Sequence, residues 1–154
     1  MRFFEDSKYY SLKKSTYINL RWIGIIGQLI SVYLVHFYFG FKFDFFLTNL
    51  AIFFGVLSNL YLIFIYKKTQ LSDRLALLFL LFDIFQLTVL IYLTGGAKNP
   101  FIIFIIIPSI FASTNLGLKT NLFIVLITCI MIIFLTFYAS ELPYPLDNHF
   151  HISD

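Results

Sequence analysis

Asp83 and Gln86 are polar groups inside a long apolar run, one helical turn apart and so on one helix face. A carboxyl and an amide placed together in hydrocarbon can hydrogen-bond a ligand, hold a proton, or bond a neighbouring helix. Gln28 and Asn59 are the candidate partners for the last role. A charge at the middle of a membrane span costs about 2.5–3.5 kcal/mol on insertion scales, so Asp83 must face the bundle, be paired, or be protonated. The second chemically equipped stretch is Thr94-Gly95-Gly96-Ala97-Lys98-Asn99-Pro100-Phe101, where Gly, Gly, Asn and Pro crowd together between two apolar runs. Gly95 and Gly96 can adopt positive φ and stop a helix. Asn99 suits an N-cap, and Pro100 suits the first helical position, where its missing N–H costs nothing. A helix start of this kind presents free backbone N–H groups that attract oxygen atoms with partial negative charge, and Phe101 sets an aromatic face beside them.

Other reactive types are sparse. His36 lies late in the first apolar run, where an interfacial histidine competes with a ligand role. His149 and His151 form a lone His-x-His in the C-terminal tail, and a metal site needs further ligands at workable geometry. Cys129 sits in an apolar run, the setting of an inert buried thiol, and a single cysteine excludes an intramolecular disulfide. Pro108 is expected to kink the helix that contains it and to free a backbone carbonyl one turn earlier. No phosphate-binding Gly-rich loop with a following Lys-Ser or Lys-Thr is present, nor paired carboxylates at catalytic spacing, nor a metal-ligand cluster. No catalytic residue and no metal are expected.

The elements that position these residues follow from composition. The chain of 154 residues is 60% hydrophobic and 12% charged, with mean hydropathy +0.87. A soluble domain is nearer half apolar and a quarter charged, so this is an integral membrane protein. The expected fold is all-α, a polytopic transmembrane helix bundle of about five spans of roughly 20 residues each. No cleavable signal peptide is evident, because the first apolar run is long enough to span and no small-residue cleavage site follows it. A basic leader, residues 1–16, precedes spans at about 17–39, 45–66, 74–93, 100–116 and 122–139, with Ser72 or Asp73 as a cap for the third. Residues 140–154 form a polar tail.

Charge orients the bundle. With the N-terminus inside, the inner segments carry Arg2, Lys8, Lys13, Lys14, Arg21, Lys67, Lys68, Arg74 and Lys119, and the outer segments carry Lys42 and Lys98. This is a strong positive-inside asymmetry. The Gly-Gly-Asn-Pro turn and the C-terminal tail therefore face outward. The net charge of +3 is read as topology, not as nucleic-acid binding. Arg21 and Trp22 suit the headgroup end of the first span. Small and polar stripes (Gly24, Gln28 and Ser31; Ala51, Gly55, Ser58 and Asn59; Ala112, Ser113 and Asn115) are expected to pack helix on helix.

The turn also carries a resemblance. Gly95-Gly96-Ala97-Lys98-Asn99-Pro100-Phe101 matches the heptapeptide Gly-Gly-x-x-Asn-Pro-Phe of the RegB/PrrB/ActS-type redox-responsive sensor histidine kinases. Arg21-Trp22 with Gly27-Gln28 resembles that family's first span. Asp83, Gln86, Leu87 and the run Leu90 to Thr94 resemble the approach to its heptapeptide, and Pro108 resembles a proline in its following helix. The resemblance covers most of residues 17–145.

It implies a multi-pass sensor of the bacterial inner membrane that binds ubiquinone near Gly95, Gly96, Asn99, Pro100 and Phe101, with Asp83, Gln86 and Gln28 as second contacts. Quinone redox state would then modulate autophosphorylation of a cytoplasmic histidine and phosphotransfer to a response regulator, in a homodimer. The phosphoacceptor-histidine box and the ATP-binding boxes are not in this sequence, so ATP would belong to a kinase core beyond it. The tail would precede a sixth span, and Cys129 cannot inherit the family's redox cysteine. Two rival readings stand beside this one. A small transporter or proton-conducting protein would use Asp83 and Gln86, and a structural membrane subunit would dock a partner on the outer turn.

Overall fold

The computed structural model describes residues 12–38, 40 and 42–138. Most of the basic leader and the tail with His149 and His151 lie outside these residues. The chain forms a short strand β1 (Leu12–Lys13), helices α1 (Lys14–Phe37) and α2 (Phe45–Phe64), a strand β2 (Gln70–Leu71) and helix α3 (Asp73–Leu93). A 3-10 turn (Gly96–Lys98) and a 3-10 helix (Pro100–Ile106) lead into α4 (Ile107–Asn115), and α5 (Leu118–Phe137) follows. The all-α bundle expected from composition is the fold observed.

α1, α2, α3 and α5 are each long and apolar enough to cross a membrane. The fourth crossing is composite. Seven 3-10 residues at about 2.0 Å and nine α residues at about 1.5 Å span roughly 27 Å, close to the hydrocarbon thickness of about 30 Å. The expected kink at Pro108 takes a different form. The helix is wound tightly before Ile107, and Pro108 falls in the first turn of α4, where its missing N–H breaks no α-helical bond.

The exterior is apolar. Phe37, Phe46, Phe64, Leu78, Ile103 and Phe137 all face outward, as lipid-facing side chains do. The interior holds two apolar clusters. One is built around Leu62, Leu80, Ile84, Ile105, Ile124 and Leu135, and the other around Ile25, Val32, Ile52 and Leu90. α1 packs chiefly on α2, α2 on α3, α3 on α5, and α4 on α5.

At the end of the bundle that the positive-inside charge pattern assigns to the inner side, β1 pairs antiparallel with β2, Leu12 opposite Leu71 and Lys13 opposite Gln70. This pairing was not expected in a stretch that reads as a basic loop. It ties the first helix start to the α2–α3 connection, so the two basic segments lie on one face of the membrane. Lys14 Nζ donates to the carbonyls of Ile63 and Tyr66, supplying partners to the exposed C-terminal end of α2. At the outer side, Asp44 caps α2 by accepting from Leu47 N–H at 2.9 Å. Ser72 occupies the N-cap position of α3 without a side-chain cap bond.

Candidate functional site

α1 rests on α2, and the fourth crossing rests on α3 and α5, so α1 and the fourth crossing stand apart over most of their length. Between them, over the face of α3, lies a cavity of about 930 Å³. That is within the range of small-molecule pockets, about 300–1,000 Å³. Its walls are almost entirely apolar. Near its inner end Tyr17 stacks on Phe111 with ring centroids 5.8 Å apart. At its outer end the wall includes Thr94, Asn99, Pro100 and Phe101.

The outer turn forms as its residue types dictate. Gly95 and Gly96 have φ of 120° and 59°, a region that Cβ-bearing residues rarely adopt. They end α3 and start the 3-10 turn. Asn99 caps the next helix, its Oδ1 accepting from Phe101 N–H at 2.9 Å. Its Nδ2 donates to Thr94 Oγ1 at 2.7 Å and to the Thr94 carbonyl at 3.2 Å. The amide of Asn99 thus clasps the end of α3 to the start of the fourth crossing. This corrects one expectation. The helix start does not offer its first N–H groups to a ligand, because Phe101 N–H is held by Asn99 Oδ1 and Ile102 N–H bonds the Asn99 carbonyl at 3.0 Å. Asn99, Pro100 and Phe101 line the cavity, whereas Gly95 and Gly96 are buried outside its lining and act by shaping the turn. Phe101 also stacks on Phe104, 5.7 Å between centroids.

Deeper in the cavity lies a polar cluster that sequence reasoning misplaced. Arg21 is not at a headgroup end. α1 begins at Lys14, so Arg21 sits seven residues in, at roughly 10 Å along the helix. Its side chain is 6% exposed and forms an ion pair with Asp83. Nη2 and Nε donate to Asp83 Oδ1 at 2.7 and 3.0 Å, and Nη2 also donates to Ser58 Oγ at 2.6 Å. Tyr17 O–H donates to Asp83 Oδ2 at 2.6 Å. The guanidinium lies over the rings of Tyr17 and Phe79, 5.5 and 5.6 Å to the centroids. Arg21 Nη1 is buried without a partner among the described residues. The carboxylate is therefore engaged on both oxygens and joins α1 to α3. The signal available in the sequence was that a buried acid needs a cation, and Arg21 is the one cation inside the notional limits of the first span.

One turn towards the outer side, Gln86 Nε2 donates to Gln28 Oε1 at 2.9 Å, again joining α3 to α1. This is the amide bond across the gap that the sequence offered as one alternative for Gln86. Both residues line the cavity. Asn59 lies elsewhere, with its Nδ2 3.4 Å from the Ile18 carbonyl. Gly24 and Gly27 line the cavity with open space over them, so Gly24 is not the packing contact its stripe suggested. Gly55 does pack closely: a Cβ there would meet Gln86 at 3.1 Å.

Of the remaining candidates, His36 stacks on Phe45 with centroids 4.5 Å apart, in an aromatic group with Phe37 and Phe43. Cys129 is a free thiol on the outward face of α5, not a buried one. No group of three or more potential metal ligands occurs among the described residues.

Comparison with known proteins gives the family. A family model described as the PilS-like transmembrane domain matches residues 5–152. The sensor histidine kinase RegB of Cereibacter sphaeroides is 34% identical over 125 residues, which are 80% of this chain and 26% of RegB. The chain thus spans about a quarter of the length of that relative. No solved structure matches significantly. With its apolar helices, this multi-pass protein of the bacterial inner membrane belongs to the PilS-like transmembrane domain family, and most of its length is similar to part of the sensor histidine kinase RegB.

Proposed function

We propose that this domain senses the redox state of the quinone pool by binding ubiquinone in the cavity between α1, α3 and the fourth crossing. The observation that carries this reading is the cavity itself: about 930 Å³, apolar, inside the membrane region, with the Asn99-Pro100-Phe101 turn in its wall. A quinone ring packs well against the Phe101 face, and its isoprenoid tail is compatible with the Ile and Phe side chains towards lipid. Gln28 and Gln86 are the polar groups available to the ring oxygens. Asp83 is held aside by Arg21 and Tyr17, and Gly95 and Gly96 set the shape of the turn.

In this reading the domain is not itself catalytic. It passes its state to a histidine-kinase core, which uses ATP and phosphorylates a response regulator, and it works as a homodimer. The reading is supported by the likeness to RegB and by the heptapeptide. The rival reading, proton or substrate movement through Asp83, has less support, because both carboxylate oxygens already accept hydrogen bonds.

The test is a ubiquinone titration of the 154-residue chain in lipid nanodiscs, read by quenching of Trp22, which neighbours the cavity-lining Arg21 and Ile23. Saturable quenching is expected. Phe101→Ala combined with Asn99→Ala should weaken binding by about tenfold, a loss near 1.4 kcal/mol. Unchanged affinity in that double variant would reject the assigned site.

A further inference from the structure

The amide pair Gln28–Gln86 is half satisfied. Its single bond uses Gln86 Nε2 and Gln28 Oε1. That leaves two atoms with no bond at all, Gln28 Nε2, a donor on α1, and Gln86 Oε1, an acceptor on α3, while Gln86 Nε2 and Gln28 Oε1 keep only a second hydrogen and a second lone pair. Neither of the first two has a hydrogen bond among the described residues, and neither is sealed in the packed interior, unlike Arg21 Nη1, His36 Nδ1, Asn59 Oδ1 and Asn121 Oδ1. Both side chains line the cavity. In a membrane interior no water stands by to satisfy such groups, and each unmade bond is costly. The Arg21–Asp83–Tyr17 cluster, by contrast, has its carboxylate fully engaged, and its spare nitrogen is covered.

We infer that the Gln28–Gln86 pair reads the redox state of the bound ring, by offering the oxidised form a donor on one helix and the reduced form an acceptor on another. This rests on the quinone reading above and adds the device that distinguishes the two forms. A quinone carbonyl oxygen only accepts, so it takes the Gln28 Nε2 hydrogens and is tied to α1. A quinol hydroxyl can still accept but also has a hydrogen to donate, so it gains Gln86 Oε1 and with it a tie to α3. The domain binds both forms and performs no electron transfer itself.

The change of tie bears on two differently anchored walls. α1 packs chiefly on α2, and around Gly24 and Gly27 it has open space beside it. α3 packs on α5, the last described helix, which leads towards the C-terminal end of the chain. The ligand's oxidation state thereby decides whether it is held to α3 as well as to α1.

The experiment measures affinities for ubiquinone and for ubiquinol separately, under oxidising and reducing conditions in nanodiscs, for the unaltered chain and for Gln28→Leu and Gln86→Leu. Gln28→Met and Gln86→Met, which keep side-chain length, serve if either leucine variant fails to fold. Both substitutions break the amide pair, so a merely structural role lowers both affinities together. The redox reading requires opposite behaviour. Loss of Gln28 should weaken ubiquinone over ubiquinol by roughly two- to tenfold, the range of one net hydrogen bond, and loss of Gln86 should weaken ubiquinol over ubiquinone by a similar factor. The midpoint potential of the bound couple then rises in the first variant and falls in the second. If the unaltered chain binds both forms and the ratio moves in neither variant, the redox role of the pair is wrong and the cavity site stands. If the unaltered chain binds neither form, the quinone reading itself fails.

Discussion

Removing Asp83 should destabilise the domain severely, and removing its partners as well should restore most of what was lost. In Asp83→Leu, Arg21 loses the acceptor of its 2.7 and 3.0 Å bonds and keeps only Ser58, while Tyr17 loses its 2.6 Å bond. The Arg21 side chain is 6% exposed, so water cannot take the place of the carboxylate. Breaking a buried pair by deleting one partner costs about 3–5 kcal/mol. In the double variant Arg21→Met with Asp83→Leu the stranded cation is gone. The main remaining deficit is the Tyr17 hydroxyl, an unsatisfied buried donor worth about 1–3 kcal/mol, beside a Ser58 hydroxyl that has lost its bond from Arg21. Adding Tyr17→Phe should bring stability close to that of the unaltered chain.

The assay is reversible unfolding in mixed micelles, followed through Trp22. Because the pair is buried, the cost should change little with salt, whereas an exposed pair is screened over about 10 Å at 0.1 M. If Asp83→Leu costs less than about 1 kcal/mol, as a solvent-exposed pair would, Arg21 reaches the headgroups after all. The α1–α3 geometry of the cavity would then be wrong.

Three further outcomes follow from the same packing. Gly24→Leu and Gly27→Leu should stabilise α1 by about 0.5–1 kcal/mol through helix propensity, since nothing lies within 4 Å of a Cβ at either site. The same side chains protrude into the cavity and should weaken quinone binding, so melting and titration move in opposite senses; a parallel change contradicts the open wall. Gly55→Ala should forgo the helix-propensity gain of about 1 kcal/mol, because its methyl meets Gln86 at 3.1 Å while that amide is held by Gln28; a full gain of that size in the same unfolding assay refutes the contact. Asn99→Ala should cost about 0.5–2 kcal/mol by removing the cap, while Asn99→Asp keeps the acceptor for Phe101 N–H and loses the bonds to Thr94, so its stability should fall between the two. Equal stability of the alanine and aspartate variants shows that the Phe101 cap contributes nothing.

The parts legible in the sequence were those set by local chemistry. Hydropathy marked the membrane helices, and Gly95, Gly96, Asn99 and Pro100 spelled a helix stop and restart that the φ values and the Asn99 cap reproduce. The features missed depend on contacts far apart in the chain. Placing Arg21 in the headgroups assumed that α1 begins at Tyr17. The helix starts instead at Lys14, directly after the β1–β2 pairing, with Lys14 bonded to the Ile63 carbonyl at the end of α2. Arg21 itself turns into the bundle to meet an acid 62 residues away, a contact no local pattern announces. The tight winding from Pro100 to Ile106 was equally hidden, since nothing in an Ile-rich run distinguishes a 3-10 helix from an α-helix. The free N–H groups expected at the turn were lost to the residue that makes the turn, because Asn99 caps what it exposes.

The most direct measurement of the central claim is photoaffinity labelling of the chain in nanodiscs with an azido-substituted ubiquinone, with the labelled peptides mapped by mass spectrometry. Label should concentrate on Phe101 and its neighbours and on the Gln28 stretch of α1, and unlabelled ubiquinone should compete it away. Label spread evenly over lipid-facing residues, with the Cys129 face of α5 marked as strongly as the cavity and no competition by unlabelled quinone, would contradict a bound quinone in this cavity.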